Sequence, residues 1–547
     1  MTVTMTNSRT ILTTLSIILL FFSRGVYSQQ PDPIDAIHYD FTISLPVSGK
    51  SISGNARIDV RRYYQADSVA LNLIDLRVDS VLVDGTRCDF SYDKSIIQIP
   101  LPPHTTSPWD TVHLQIVYNG IVHDGLVIRP DDRGRWSAFG DNWPERARFW
   151  IPCVDRPNDK ATVTWRVIAP SDRTVVANGE FLEKVGLPDS SGNKYSLTVW
   201  KESHPISTYL MVIAVGTLAK YSLPASPTSS GGRVPVQQSV YVQPEVLDFL
   251  PGPFRYANDI VGYFSSIIAP FPYEKLAHVQ SSTRYGGMEN ASAIFYADRG
   301  FQNRTMGPGV IAHETAHQWF GDAVTEKEWS HLWLSEGFAT YFQELWDQHE
   351  FGDSTFKAEM MRTREEIIRS KVVRERPVID TLQTNPMRLL DVNSYQKGAW
   401  VLHMLRSTLG DSVFYSSLRS YYAKYRDGNA LTDDLEQEFE NASHKHLRWF
   451  FDQWLRRPGF ATVSSSWTYD EQSKQVHLTV EQSGDFPPYR FPLTCAVVTT
   501  AGKLVRERFT VEALPRDSLT FDHSFEKSPR EVVLDPDVEL LARFLPD

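Results

Sequence analysis

Apolar and polar residues alternate in short runs through the first part of the chain. In Ile37–Leu45 every second residue is apolar, and in Thr111–Tyr118 the side chains of Val112, Leu114 and Ile116 share one face. A period of two is typical of strands with one buried face. Gly, Asp and Pro residues separate the runs, as turns do. We therefore predict an all-β domain over residues 29–222.

The period becomes helical in the middle of the chain. Ala257–Ile268 and Ala399–Leu409 carry apolar residues three and four positions apart, which indicates helices with one buried face. A stretch rich in Pro, Ser and Gly, Leu223–Gly232, precedes them, and we expect it to be an exposed loop. These features predict a largely helical domain over residues 223–458.

Alternation returns in the last part of the chain. Gln475–Val480 and Thr494–Val498 have the composition and period of strands. A small β-sandwich over residues 459–547 fits this segment. The sequence as a whole therefore predicts a multidomain α+β protein.

The first residues have the features of a secretory signal peptide. Arg9 lies in a short basic stretch, Ile11–Phe22 is apolar, and Val26–Ser28 offers a cleavage site. We expect cleavage after Ser28 and an exported protein, secreted or periplasmic. The alternative is that this segment is not cleaved and tethers the protein to a membrane. No later stretch is apolar enough to span a membrane.

Composition narrows the class of partner. The 547-residue chain has a formal net charge of −11, which argues against a nucleic acid or an anionic membrane surface as partner. Only three cysteines are present, at positions 88, 153 and 495. Three cysteines, a small and odd number, do not indicate a disulfide framework.

A cluster of His and Glu residues in the helical part is typical of a metal site. His313 and His317 are four residues apart, so on a helix both imidazoles can reach one ion. Glu314 lies between them, where a carboxylate can act as general base in zinc-assisted hydrolysis. A catalytic zinc usually takes three protein ligands. Glu336, a lone carboxylate in the apolar segment Trp333–Tyr341, is the candidate for the third.

Five segments together carry a family resemblance. They are Ile151–Pro157, Gly286–Asn290, His313–His317, Trp333–Tyr341 and Ser394–Gly398. In this order and spacing they resemble the aminopeptidase N family of zinc metallopeptidases, the gluzincins, which are relatives of leukotriene hydrolase. The resemblance implies an N-terminal β-saddle domain and a thermolysin-like zinc catalytic domain. Many members add a large helical C-terminal domain. We expect a short form without this domain, in which the cleft is more open on that side unless an oligomer closes it.

The resemblance also implies a reaction and roles for individual residues. The implied reaction is hydrolysis of the N-terminal residue from peptides with a free amine, assisted by one zinc ion. Glu314 and Tyr395 are the implied catalytic residues, as general base and as hydrogen-bond donor to the oxyanion. The implied substrate-binding residues lie in one loop, where Glu289 holds the free ammonium. They are Gly286, Gly287, Met288 and Glu289, beside the metal ligands His313, His317 and Glu336.

The sequence departs from the family where a second amine-binding group is expected. Asp141-Asn142-Trp143 stands there, so either Asp141 takes over or Trp143 shapes the first side-chain pocket. Met288 and Gln280 are further candidates for that pocket. Two other functions stay open: a zinc hydrolase of the same fold with another activity, such as an endopeptidase or epoxide hydrolase, and a non-catalytic peptide-binding scaffold.

Overall fold

The computed structural model describes residues 33–63, 66–103, 109–188, 194–224 and 236–546. The predicted signal peptide lies outside these residues, as does most of Leu223–Gly232. In the described part of the chain, no helix is both long and apolar enough to cross a membrane. The predicted multidomain α+β class is confirmed, with a β-rich N-terminal part followed by a part that contains the helices.

The first part consists of strands, as the alternation predicts. In the strand that contains Thr111–Tyr118, Val112, Leu114 and Ile116 are buried. The bounds of the strands are β1 (Ile34–Ser44), β2 (Ser51–Tyr63), β3 (Ser68–Asn72), β4 (Arg77–Val83), β5 (Thr86–Arg87), β6 (Ser91–Tyr92), β7 (Ile96–Pro100), β8 (Trp109–Ile121), β9 (Leu126–Pro130), β10 (Trp136–Gly140), β11 (Lys160–Pro170), β12 (Thr174–Ala177), β13 (Glu180–Leu187), β14 (Tyr195–Ser207) and β15 (Ile213–Gly216).

These strands form one large and two small sheets. The eight-stranded sheet has the order β13-β14-β11-β1-β2-β8-β4-β5, and within it β1 pairs parallel with β11. A four-stranded sheet has the order β12-β15-β10-β9, and a three-stranded sheet has the order β3-β7-β6. The four-stranded sheet brings the segment after β10, which contains Asp141 and Trp143, towards the middle part of the chain.

A mixed five-stranded sheet, of order β16-β17-β18-β20-β19, opens the middle part. Its first strand ends at Ser222, so a strand that the predicted boundary assigns to the first domain pairs into this sheet. An alternating pattern identifies a strand but not the sheet that it joins. The bounds are β16 (Ala219–Ser222), β17 (Gln238–Val242), β18 (Leu276–Ser281), β19 (Gly287–Met288), β20 (Ala293–Ala297), β21 (Val324–Glu326) and β22 (Gly428–Ala430).

Helices make up most of the remaining middle part, and two of them are almost wholly buried. The helix that contains His313 has no exposed residue, and the helix that contains Glu336 is buried from Trp333 to Phe342, whereas its last three residues are exposed. The bounds are α1 (Ala257–Ile267), α2 (Asp298–Gln302), α3 (Pro308–His317), α4 (Trp333–Phe351), α5 (Asp353–Arg369), α6 (Lys371–Glu375), α7 (Gly398–Leu409), α8 (Asp411–Tyr425), α9 (Thr432–Ser443) and α10 (Arg448–Leu455).

Two sheets form the last part of the chain, of orders β27-β24-β23-β29 and β26-β25-β28. Their inner side chains continue the core of the helical part. The bounds are β23 (Ala461–Asp470), β24 (Gln475–Gln482), β25 (Phe491–Val498), β26 (Leu504–Val511), β27 (Arg516–Thr520), β28 (Glu531–Leu534) and β29 (Ala542–Phe544).

The N-terminal part holds the turn that follows α3. Lys160 Nζ donates hydrogen bonds to the backbone carbonyls of Asp322, at 2.8 Å, and Ala323, at 3.0 Å. The hydroxyl of Tyr209 donates to the carbonyl of Gly321 at 3.2 Å. These contacts fix the turn directly after His317 against the first domain. The all-β part therefore helps to position the end of α3.

Asn178 is a second link between the two parts. Its Nδ2 donates to the carbonyls of Leu210, at 2.8 Å, and Ala291, at 2.7 Å. Its Oδ1 accepts from the backbone N–H of Val212 at 2.7 Å and from Trp165 Nε1 at 3.2 Å. The residue is fully buried. One amide group thus satisfies polar groups of the first domain and of the loop before β20.

Replacing Asn178 by Leu is expected to lower stability markedly. The substitution leaves buried donors and acceptors without a partner, and each such group costs about 1–3 kcal/mol. We expect a loss of at least about 3 kcal/mol, measured as a lower thermal unfolding midpoint. The matched control is Asn119→Leu, because Asn119 is half-buried and its Nδ2 donates to Asp79 at the edge of the protein's core. Equal midpoints for the two variants would contradict the linking role of Asn178.

Candidate active site

One cavity brings together the predicted metal ligands, Glu314, Tyr395 and the loop Gly286–Glu289. Its volume is about 280 Å³, and residues of β19, α3 and α4 contribute to its lining. Its walls are formed by Trp143, Tyr285, Gly286, Gly287, Met288, Glu289, Val310, His313, Glu314, His317, Glu336, Leu390 and Tyr395.

The three candidate ligand atoms form a small triangle. Nε2 of His313 and Nε2 of His317 are 3.3 Å apart. Oε2 of Glu336 lies 3.4 Å from the first and 3.3 Å from the second. The two histidines are one turn apart on α3, and Glu336 lies in the first turn of α4. Packing of α3 against α4 therefore brings the three side chains together.

The triangle has the dimensions of a zinc site. Ligands about 2.0–2.1 Å from a tetrahedral zinc are about 3.3 Å apart, which is the separation found here. Oε2 of Glu336 is also buried, and within the described residues it accepts no hydrogen bond. An acceptor of this kind is costly unless a cation or a donor satisfies it. The residues therefore fit one zinc ion, with a fourth position open to the cavity.

Ser335 orients one of the histidines. Its Oγ lies 3.0 Å from Nδ1 of His317. A hydrogen bond at Nδ1 leaves Nε2 free to bind a metal, as is usual for histidine ligands. The sequence analysis missed this residue, although its place directly before Glu336 was a signal.

In the group of three candidate ligands, His313, His317 and Glu336, neighbouring charges shift the pKa values against the direction in which burial shifts them. Burial acts to raise the pKa of Glu336, but the two histidines lower it well below its usual range. Burial lowers the pKa of His317, whereas Glu336 and Glu289 raise it, and the carboxylates prevail. A zinc ion binds the neutral form of histidine, so it would oppose this effect of the carboxylates on the pKa of His317.

Glu314 lies against the backbone of the loop that contains Glu289. A Cβ atom added to Gly287 would lie 2.0 Å from Oε1 of Glu314, so only glycine leaves room for this carboxylate. Burial raises the pKa of Glu314 well above its usual range, and the charges of Glu289 and Glu336 add to the effect. A carboxylate in such surroundings accepts a proton more readily than an exposed one.

Tyr395 lies over the third ligand. Its hydroxyl donates a hydrogen bond to Oε1 of Glu336 at 2.8 Å. The residue lies in a single turn of π-helix, Asn393–Lys397, directly before α7. Burial raises the pKa of Tyr395 well above its usual range, so the phenol keeps its proton and can act as a donor.

Two glycines allow this approach of Tyr395 to α4. A Cβ atom on Gly337 would lie 2.9 Å from Cα of Gly398 and 3.2 Å from the carbonyl of Ser394. Larger residues would push the π-helical turn away from α4. The glycines that flank Glu336 and Tyr395 in sequence are therefore part of the geometry of the site.

The structure separates the two residues that the sequence left as alternatives. Trp143 lines the cavity. Its ring packs edge to face against the rings of Tyr285 and Trp329, with centroid separations of 6.0 and 5.5 Å. Asp141 is buried, and it does not line this cavity. It forms ion pairs with Arg146 at 2.8 Å and with Arg284 at 3.3 Å. Trp143 therefore shapes the cavity, and the charge of Asp141 is already compensated.

Other lining residues were missed or misplaced in the sequence analysis. Tyr285, Val310 and Leu390 form apolar walls, although only Tyr285 has a signal in the sequence, as the residue before the Gly pair. Gln280 does not line this cavity. Its Oε1 accepts from the backbone N–H of Gln243, and its side chain faces a neighbouring cavity. In the fully buried strand β18, alternation does not tell which side a residue faces.

Comparison with known proteins agrees with this arrangement. The Peptidase M1 N-terminal domain profile matches residues 35–210, and the Peptidase family M1 domain profile matches residues 257–454. Glutamyl aminopeptidase of Rattus norvegicus is 26% identical over 498 residues, which cover 84% of this chain and 51% of that protein. Aminopeptidase 2 of Candida albicans is 27% identical over 463 residues, with coverages of 79% and 48%. The chain thus spans about half the length of these curated relatives.

Solved structures show the same fold. Aminopeptidase A of Legionella pneumophila, in complex with aspartic acid, has a TM-score of 0.81 at 17% identity, over 95% of this chain and 60% of that chain. The M1 zinc metallopeptidase from Deinococcus radiodurans has a TM-score of 0.68 at 25% identity, over 78% of this chain and 94% of that chain. The two matched profiles together cover most of the described residues. The family that the sequence motifs indicate is therefore confirmed, and this chain belongs to peptidase family M1, the aminopeptidase N family.

Proposed function

We propose that this protein is a zinc-dependent aminopeptidase that removes the N-terminal residue from peptides. One observation carries the proposal: a buried carboxylate suited to bind an ammonium group, Glu289, lines the same cavity as Glu314 and the three candidate ligands. The names of the relatives point in the same direction. We further propose that the protein acts after export, on the basis of the predicted signal peptide.

The residues of the cavity suit the steps of peptide hydrolysis. A zinc ion held by His313, His317 and Glu336 would supply a Lewis acid and a water of lowered pKa. Glu314 accepts a proton from the attacking water and passes it to the departing amine. The hydroxyl of Tyr395, which donates to Glu336 in this structure, would redirect its one proton to the oxygen that gains negative charge.

Selection of the N-terminal residue depends on Glu289. Its carboxylate pairs with the free ammonium of the substrate, and such a charge-assisted hydrogen bond also fixes the orientation of the bound peptide. Burial raises the pKa of Glu289, and the charge of Glu336 adds to the effect. A cationic ammonium favours the ionised carboxylate, so binding of a free amine would lower the pKa of Glu289 again. Peptides with a free N-terminal amine are the expected substrates.

Zinc binding and turnover should depend on different residues. We expect the purified protein to contain about one zinc ion per chain and to hydrolyse aminoacyl-naphthylamides. Chelation should abolish turnover, and added zinc should restore it. His317→Ala should lose the ion, whereas Glu314→Gln should keep it and lose about 10²- to 10⁴-fold in kcat. Metal analysis beside kinetics tests this. A folded, zinc-loaded wild-type protein that cleaves no aminoacyl substrate would refute the aminopeptidase function.

Glu289→Gln should impair free-amine substrates selectively. The variant keeps the side-chain volume but loses the charge that pairs with the ammonium, so kcat/KM for free-amine peptides should fall at least about tenfold. Peptides with a blocked amine should be affected much less. The matched control is Glu326→Gln, because Glu326 is a buried carboxylate outside the cavity lining. An equal loss on both substrates would refute the ammonium-binding role of Glu289.

Gly287→Ala should lower turnover without loss of metal. The new methyl group would displace the carboxylate of Glu314, and a misplacement of about 1 Å can cost about 10²-fold in rate. We expect a fall of that order in kcat at normal zinc content. Gly286→Ala should cost much less, because a Cβ atom there meets no other atom within 4 Å. Similar losses in the two variants would show that Gly287 does not act through Glu314.

A further inference from the structure

Gln318 connects the metal helix to the loop that carries Glu289. It directly follows His317 in the chain, and its side chain is fully buried. Nε2 donates a hydrogen bond to the backbone carbonyl of Glu289 at 2.8 Å, and Oε1 accepts from the backbone N–H of Ser292 at 2.8 Å. One amide group therefore holds the loop at two points, and one of them is Glu289 itself.

The orientation of this amide is fixed by its third contact. Nε2 also donates to Oδ2 of Asp322 at 2.8 Å. The nitrogen faces two acceptors and the oxygen faces a donor, so a flipped amide would lose these hydrogen bonds. Because the group is buried, each lost contact would leave an unpaired polar group. The bridge is accordingly rigid.

The far end of the loop is held by other elements. Ser292 has a left-handed backbone with φ of 60°. Its Oγ donates to Glu202 Oε2 at 2.9 Å and accepts from the N–H of Gly179 at 2.7 Å, and its carbonyl accepts from Lys275 Nζ at 2.6 Å. These anchors lie on elements without a candidate metal ligand. Gln318 differs from them because it is adjacent to a ligand in the chain.

A peptidase that cuts after one residue needs a fixed distance between its ammonium site and its metal. One additional methylene group in the substrate moves the ammonium by about 1.5 Å. Catalytic groups must be held within about 0.5 Å of the productive geometry. The distance is therefore selective only if Glu289 cannot shift relative to His317.

We propose that Gln318 is a positioning residue that sets this distance. Through its two contacts with the loop it ties Glu289 to the helix of the metal ligands, and so selects substrates in which one α-amino acid residue separates the amine from the cleaved bond. The inference rests on the proposed aminopeptidase function and adds a specificity determinant to it.

Gln318→Leu should relax this selection. With the bridge removed, kcat/KM for α-alanyl-naphthylamide should fall about 10- to 100-fold. β-Alanyl-naphthylamide, whose amine is one methylene further away, should lose much less, so the ratio of the two activities (β over α) should rise at least about fivefold. Zinc content should match that of the wild type. Hydrogen exchange at the Ser292 amide should accelerate, because its acceptor is gone. If the Leu variant fails to fold, Gln318→Met, which keeps the side-chain length, carries the same expectation.

Gln453→Leu is the matched control. Gln453 is also buried and also bridges backbone groups, since its Nε2 donates to the carbonyl of Arg490 at 2.6 Å and its Oε1 accepts from the N–H of Arg490 at 3.0 Å. It does not line the cavity. This variant should lose stability but keep the wild-type ratio of the two activities and the wild-type exchange at Ser292.

The outcomes separate this inference from the function on which it rests. An equal loss on both substrates in Gln318→Leu, or a changed ratio in Gln453→Leu as well, would overturn the positioning role while leaving an aminopeptidase. A zinc-loaded wild type without activity on any aminoacyl substrate would overturn the proposed function, and this inference with it.

Discussion

The structure depends on bringing three buried ligand atoms, from two helices, to within about 3.3 Å of one another. Two of them lie on α3, where helical geometry alone makes them neighbours. The third requires α4 to pack closely against α3, and the Gly337–Gly398 contact lets the turn that carries Tyr395 approach α4. Much of the helical core can be understood as the support that holds these two helices together. The N-terminal strands contribute through Lys160 and Tyr209, which hold the turn after His317.

Buried negative charge is the cost of this arrangement. Glu289, Glu314 and Glu336 lie in one cavity, and Asp322 and Glu326 are buried behind it. Burial raises the pKa of Asp322 well above its usual range and that of Glu326 to about 8. Carboxylates crowded in this way are unfavourable unless a cation compensates them. A zinc ion at the triad and an ammonium group at Glu289 would both do so, which couples metal and substrate binding to the stability of the site.

At Asp141-Asn142-Trp143, the second amine-binding group that the family resemblance leads us to expect is replaced by an aromatic wall. Asp141 forms ion pairs with Arg146 and Arg284 and does not line the cavity. Trp143 takes the wall position and, with Tyr285 and Leu390, makes that side of the cavity apolar. Sequence position alone could not distinguish the two outcomes, because Asp141 and Trp143 are two residues apart on a segment without regular structure and can face different sides.

The sequence by itself indicated the class of fold and the candidate ligands His313 and His317, because these depend on local spacing, and its family resemblance indicated Glu336 and the loop Gly286–Glu289. His313 and His317 share a helix face, and in β8 the alternating apolar residues are the ones whose side chains are buried. The rest depends on contacts between segments far apart in the chain, which no local pattern encodes. Only the tertiary structure decided that β16 joins the five-stranded sheet, that Gln280 faces a neighbouring cavity, and that the side chain of Gln318 joins the backbone of Glu289 to the end of α3. In each case the side chain's neighbours come from another element, so its role is set by packing and not by its place in the sequence.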